Sequence, residues 1–346
     1  MFHLISFIIR RLLLLPVTLL GLTFLIFFFT SFLSPYQLLS AYVQDPRQLQ
    51  GANVEKLIEK YGLKKNFLVK YGNWLEKIAV GNFGWSLSMN EPVMKVIEER
   101  FPATLELTIY AIIPVIWIGI WLGVIAAVHH NGVIDQILRV VALLGYSIPA
   151  FVLGLLILFI FYGVLGWLPP GRLDQWAQMI YYSKSFHHYT GMVTIDSLLN
   201  GNIPIFLDAL KHLIAPILTL SYLSWAGLLR ITRSSMLESL GQDYIRTARA
   251  KGLSEKVVVN KHAKRNALIP ATTIAGMMFI GMLGGVIITE TIFNYPGIGS
   301  FSAQAAEQFD YSGVLGVAVI YGLITIIGNL IVDITYALID PRVRLG

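Results

Sequence analysis

A chain of 346 residues in which 55% are hydrophobic and 13% are charged, with a formal charge of +6, departs from globular composition, where about 25% of residues are charged. It contains no cysteine, which excludes a disulfide framework and a thiolate metal site. A single large soluble core is excluded as well, because it would need buried helices repeatedly longer than the usual ~8–20 residues.

Runs free of Asp, Glu, Lys, Arg and His cover residues 12–44, 107–128, 140–171, 213–229, 266–289 and 311–332. Each is near or above the roughly 17–25 residues a helix needs to cross about 30 Å of hydrocarbon. The expectation is an all-α polytopic membrane protein with six transmembrane helices. The first run follows Arg10 and Arg11, exceeds the roughly 7–15 residues of a signal h-region and lacks a small-residue cleavage site, so residues 1–33 read as a first span.

Residues 34–102 form the first large loop. Val54, Leu57, Ile58 and Tyr61 recur at helical spacing before Gly62, as do Phe67, Leu68, Tyr71, Trp74, Leu75 and Ile78 before Gly81. Two amphipathic helices in a small extracytoplasmic cap are expected. Residues 103–346 carry the remaining five spans. Gly119 and Gly123, Gly281, Gly284 and Gly285, and Gly313 and Gly316 stand where small residues let helix backbones approach. The loop 164–211 opens on "GWLPPGR" and has no clear period; Trp167 and Trp176 suit an interfacial belt.

Lys and Arg concentrate beside alternate spans: Arg10 and Arg11, Arg139, nine residues between Arg230 and Arg265, then Arg342 and Arg344. The positive-inside rule makes these segments, and both termini, cytoplasmic. The loop 34–102 has nine Lys/Arg and seven acids, but a loop of that length crosses largely regardless of charge.

The basic segment 231–270 has a shape of its own. Leu237, Leu240, Tyr244 and Ala248 repeat as one apolar stripe of a short helix. Lys251 closes it and Gly252 suits the left-handed position past a helix end. Ser254 then fits an N-cap, Glu255 the first turn, and Leu253 and Val258 a hydrophobic staple. A second helix continues through Arg265 and is expected to end before Pro270. DNA is a poor partner for a helix pair tied to membrane at both ends, so no nucleic acid is expected. Anionic membrane lipid and a protein with a groove for a short helix both suit it.

Glu290 lies at the outer end of the fifth span, where an ionisable group is a candidate functional residue. The turn-rich loop from Phe293 to Gly299, with Tyr295, Pro296 and Gly297, can fold back into a cavity mouth, where non-helical backbone is tolerated only against protein or water. Asp333, with Asn329 one turn earlier, reads as a helix-end hydrogen-bonding residue beside Asp340. Glu106 and Asp135 flank other spans near their boundaries, so no relay of acids crosses the membrane. His129 with His130, and His187 with His188, are adjacent in sequence and diverge on any helix, so no metal site is expected.

The segment "YIRTARAKGLSEKVVVNKHAKRNALIP" resembles the cytoplasmic loop of permease subunits of bacterial and archaeal ABC importers, specifically the dipeptide/oligopeptide permease family. In that superfamily the loop carries an E-A-A, three residues, G pattern. Arg246, Thr247, Ala248 and Gly252 occupy those positions here, two of them substituted. "GNFGWSLSMNEPVMKVIEERFPATLEL", "LLGYSIPAFVLGLL", "LGWLPPGR", "ITRSSMLE", "TETIFNYPGIG" and "LIVDITYALIDPRVR" are also similar to that family's segments, in its order, over about residues 8–344. Residues 174–210 match least.

The resemblance implies a type I ABC importer permease core formed by the last five spans. It implies pairing with a second homologous permease subunit, two ATPase subunits and an extracytoplasmic solute-binding protein. Tyr244, Arg246, Thr247, Ala248, Arg249, Gly252, Leu253 and Ser254 are then the residues expected to couple to an ATPase. Glu290, Tyr295, Pro296 and Gly297 are the candidate external gate. The chain has no G-x-x-x-x-G-K-[ST] motif, so it builds no P-loop; no cofactor is expected in it, and ATP and Mg belong to the partner ATPases. Di- and oligopeptides are the expected cargo, with oligosaccharides or nickel as alternatives. A secondary transporter would show internal repeats with coupling-ion groups at midplane, and a membrane enzyme would need a convergent nucleophile, base or metal. Neither is visible.

Overall fold

The computed structural model describes residues 2–30, 32–43, 54–284 and 286–339; Gly285, Asp340, Arg342 and Arg344 fall outside them. Among the described residues, five continuous helices are long and apolar enough to cross a membrane, and a sixth span is formed if a bent helix pair is counted as one.

The first, α1 (Phe2–Thr30), stands at the edge of the bundle against α16 (Tyr311–Ile339). Between α1 and the next span lies the cap: α2 (Pro35–Leu39), α3 (Val54–Lys60), α4 (Phe67–Ala79) and the two-residue strands β1 (Trp85–Ser86) and β2 (Glu91–Pro92). Both expected amphipathic helices are present, and Gly62 and Gly81 have φ of 65° and 77°, the left-handed geometry that closes a helix. Trp74 of α4 packs on Phe27 of α1 with ring centroids 5.1 Å apart. Tyr71 reaches the Thr23 hydroxyl at 2.9 Å, so the cap is seated on the first span.

The second span, α5 (Val93–Val128), is 36 residues long and continues without a break past residue 103. At about 1.5 Å per residue it exceeds the hydrocarbon thickness and projects beyond it. It packs most extensively on α10 (Ile203–Leu240). A Cβ at Gly119 would stand 2.9 Å from the Leu228 side chain, and one at Gly123 2.6 Å from Thr232. Those two glycines set the close approach expected of them. Gly281 has nothing within 4 Å, so the same expectation fails there.

The run 140–171 is not one helix. It splits into α6 (Val133–Ser147) and α7 (Ala150–Leu158), bent by 95°, followed by a π turn at Phe159–Val164. The cause is Pro149, which drives the residue before it out of the helical region; Ile148 has φ −81° and ψ 122°.

The loop after α7 is more ordered than its lack of periodicity suggests. It holds α8 (Gln175–Tyr181) and α9 (Val193–Leu199), and their inward residues Ala177, Tyr181 and Val193 join Leu173, Ile205 and Ala209 in a separate small core at the end of α10.

At the far end of α10, Gly241 and Gln242 break the chain before α11 (Asp243–Ala250). A three-residue helix α12 (Glu255–Val257), a π turn (Val258–Ala263) and α13 (Lys264–Leu283) then form one continuous rod. The end expected before Pro270 is absent: Pro270 lies inside α13, since a span can carry proline where its neighbours satisfy the freed backbone groups. After Leu283 come the short helices α14 (Ile287–Ile292) and α15 (Ile298–Glu307), packed on one another, so the run 266–289 is the end of a span plus the start of a helical hairpin. Asp333 lies within α16, six residues before Ile339.

Candidate functional site

At the end of the bundle that carries the basic loop, α11 is held on both sides. Its C-terminus closes with Gly252 N–H donating to Arg249 O at 2.9 Å and Leu253 N–H to Ala248 O at 3.4 Å. Gly252 has φ +75°, and this bond pair is the Schellman arrangement expected there. At its N-terminal end Ser239 Oγ donates to Ala263 O at 3.0 Å, so the Tyr244 hydroxyl is the donor in its 2.6 Å bond to Ser239 Oγ.

The stripe expected on this segment is rearranged. Leu237 and Leu240 belong to α10, and the buried residues of α11 are Ile245 and Ala248. These pack with Ala127, Met236, Val258 and Ala263. The break at Gly241 shifts the helical phase, which brings Ile245 inward and leaves Tyr244 outward, tethered by its hydroxyl. Arg246, Thr247, Arg249, Gly252, Leu253 and Ser254 are exposed. Ser254 takes the N-cap position without a side-chain cap bond; Leu253 is exposed and Val258 is buried. Arg249 Nε instead meets Glu255 Oε1 at 3.1 Å, bridging the two helices at the surface.

Beside this loop, Asp135 at the start of α6 is fully buried and accepts both Arg233 Nε at 2.7 Å and Nη2 at 2.8 Å. A bidentate pair of this kind adds directional specificity to charge, and it locks the bent third element to α10. Nothing local in the sequence marks it, because the partners stand 98 positions apart.

The opposite end of the bundle is organised by two buried carboxylates. Glu106 lies within α5. Its Oε1 accepts Thr194 N–H at 2.7 Å and Thr194 Oγ1 at 2.8 Å, and its Oε2 accepts Arg172 Nη2 at 2.6 Å and the Tyr295 hydroxyl at 2.8 Å. One carboxylate thereby joins α5, the loop before α8, α9 and the α14–α15 hairpin. Glu290 is likewise fully buried, not wetted as a span-end position allows. It accepts Thr104 Oγ1 and Ser300 N–H, each at 2.8 Å. A Cβ at Gly297 would stand 2.5 Å from both Glu290 oxygens, so the glycine of "YPGIG" is required by close approach. Glu290, Tyr295 and Gly297 are thus buried in one hairpin, with Pro296 exposed between them, and the hairpin's polar neighbours are Thr104 and Glu106 of α5.

Between α5, α13 and α16 lies an apolar cavity of about 640 Å³, lined among others by Phe101, Ile112, Thr272, Phe279 and Ile327.

Residues 119–345 match the family described as "Binding-protein-dependent transport system inner membrane component", and residues 4–108 match that family's N-terminal region. This chain belongs to that family. The permease is 39% identical to a dipeptide transport system permease protein of Alkalihalophilus pseudofirmus, over 98% of this chain and 99% of the relative. It is 37% identical to an oligopeptide transport system permease protein of Bacillus subtilis over the same shares. A probable D,D-dipeptide transport system permease protein of Escherichia coli is 40% identical over 85% of each chain. The permease is thus an all-α inner-membrane subunit of an ABC importer, not an enzyme. Importers of this kind act with ATPase subunits, which use the ATP, and with a solute-binding protein.

Proposed function

We propose that this permease forms half of the translocation path of an ATP-driven importer of di- and oligopeptides, beside a second, similar permease subunit and above two ATPase subunits that bind ATP and Mg. The reading rests on the near-complete coverage of relatives named as dipeptide and oligopeptide permeases. The groove between α5, α13 and α16 is this chain's half of the path. Both termini and the segment 231–270 are cytoplasmic, a sidedness supported by the clustering of Lys and Arg.

The segment 231–270 couples to an ATPase through the exposed face of α11. Tyr244, Arg246, Thr247 and Arg249, with Gly252, Leu253 and Ser254 at the turn, meet a groove in the ATPase, while Ala248 anchors the helix from below. Because α11 is tied to Ala263 through Ser239 and closed by Gly252, a displacement of the groove is delivered to α10 and α13 together. The basic rim also touches anionic lipid. Glu290, Tyr295, Pro296 and Gly297 form the external gate.

The test is uptake by the assembled importer in proteoliposomes supplied with its binding protein and ATP. Labelled di- and oligopeptides should accumulate and compete with one another. Uptake of an oligosaccharide or of nickel without any peptide competition would overturn the cargo; accumulation by the lone chain without ATPases would overturn the mechanism.

A further inference from the structure

The loop between α7 and α10 brings together three side chains that the transport reading does not use. Asp174 precedes α8, and Asp208 and His212 lie one turn apart on α10. One ligand-capable atom from each falls within 4.8 Å of the other two. His212 is 1% exposed.

The tautomer of His212 is settled by its neighbour. Nδ1 lies 3.1 Å from the carbonyl oxygen of Pro170, which can only accept, so Nδ1 carries a proton. Nε2 on the other side of the ring faces Asp174 Oδ1 at 3.3 Å and Asp208 Oδ2 at 3.9 Å. Nε2 is buried and has no hydrogen-bond partner, although an imidazolium there would be a donor aimed at two acceptors. A buried ring nitrogen brought against two carboxylate oxygens calls for positive charge among them, and a bound cation supplies it. A ring nitrogen held by a backbone carbonyl through its other N–H is the support metal-binding histidines ordinarily have.

We propose that Asp174, Asp208 and His212 form a divalent transition-metal site, with zinc the best-matched ion. Zinc takes imidazole nitrogen and carboxylate oxygen at about 2.0–2.2 Å in a tetrahedron. Tetrahedral bonds of that length hold ligand atoms roughly 3.3–3.6 Å apart, and the 3.3 Å and 3.9 Å separations bracket that range. Calcium and magnesium favour oxygen-only shells. The other bonds of the two carboxylates are compatible with this: Lys211 Nζ occupies Asp174 Oδ2 at 3.2 Å, leaving Oδ1 open, and Asp208 Oδ2 accepts Asp174 N–H at 2.8 Å with further lone-pair capacity. The Asp174 side chain is 35% exposed, which supplies an entry path, and water completes the fourth position. The ion ties Pro170, α8 and the outer end of α10 into one unit. It stiffens the surface formed by residues 174–210.

The importer complex is purified on an affinity tag free of histidine, stripped with a chelator, dialysed against zinc and analysed by elemental mass spectrometry. One tightly held zinc per permease chain is expected. His212→Gln should weaken binding by more than the roughly 10–100-fold lost when only an outer-shell partner is changed, while Lys211→Met, which leaves all three ligands, should retain the ion. Cobalt added to the stripped wild-type complex should give the intense visible bands of tetrahedral coordination, a readout that depends on no variant. Absence of retained zinc, equal retention by His212→Gln, or a cobalt spectrum of the hexaaqua ion alone would each overturn the site.

Discussion

Arg172 Nη2 donates to Glu106 Oε2 at 2.6 Å across 66 positions of sequence, and both side chains are withdrawn from water, at 12% and 1% exposure. Removing one partner of a buried pair strands the other charge and costs about 3–5 kcal/mol. Arg172→Met is therefore expected to destabilise the permease by that amount, and Glu106→Gln combined with it should recover most of the loss. A double-mutant cycle on thermal unfolding in detergent checks this; additive single losses would show that the pair is not coupled.

Gly252 is a conformational requirement rather than a packing one. Its φ is +75° and an added Cβ would meet nothing within 4 Å, so a substitution is penalised only through the backbone, by about 1–2 kcal/mol. Gly252→Val should uncouple substrate-stimulated ATPase activity while the complex still assembles. Gly252→Asn, which tolerates the left-handed region, should keep most of it. Equal activities of the two variants would remove the turn from the coupling mechanism.

Ala248 faces the protein's own core, so its replacement tests a different property. Ala248→Asp places a charge among Met236, Val258 and Ala263 and should release α11. Protease cleavage in residues 241–255 would report this as a site absent from the wild-type digestion pattern.

Gly297 sits against the Glu290 carboxylate. Gly297→Ala overpacks that contact, at a cost of about 1–3 kcal/mol, and should lower the thermal midpoint and peptide uptake together. Uptake lost with the midpoint unchanged would point instead to a direct part for this glycine in gating.

Lys77 in the cap donates to Tyr42 O at 2.6 Å and lies 3.8 Å from the centre of the Tyr61 ring. Burial, then the charge of Lys60, lower its pKa from 10.5 to about 8. Below pH 8 the lysine is protonated in both folded and unfolded chains and the penalty on the folded state is fully present. Between pH 8 and 10.5 the unfolded chain binds more protons, so stability rises with pH. The thermal midpoint of wild type minus that of Lys77→Met should increase from pH 7.5 to 9.5. A flat difference would contradict the depressed pKa.

Much of the architecture is legible in local pattern. The cap helices with Gly62 and Gly81, the turn at Gly252, the fold-back after Phe293 and the close approach at Gly119 and Gly123 follow from periodicity and turn chemistry. These act over a few residues and leave a signature in the string itself. The chain departs from its local pattern where two local signals compete. Pro149 broke a span and Pro270 did not, and Gly241 reset the helical phase so that Ile245, not Tyr244, turned inward.

What composition and order determine by themselves is therefore the solvent, the set of apolar segments, the basic segment between the fourth and fifth of them and the glycines that turn the chain. The tertiary structure alone decided the partners of the buried charges. Arg172 and Arg233 reach Glu106 and Asp135 only through folding, and Asp208 and His212, one turn apart on α10, meet Asp174 only when the segment before α8 packs against them. A carboxylate's cost in an apolar medium is offset only by a partner in space, and such a partner, chosen by packing across 66 or 98 positions, leaves no period in the sequence.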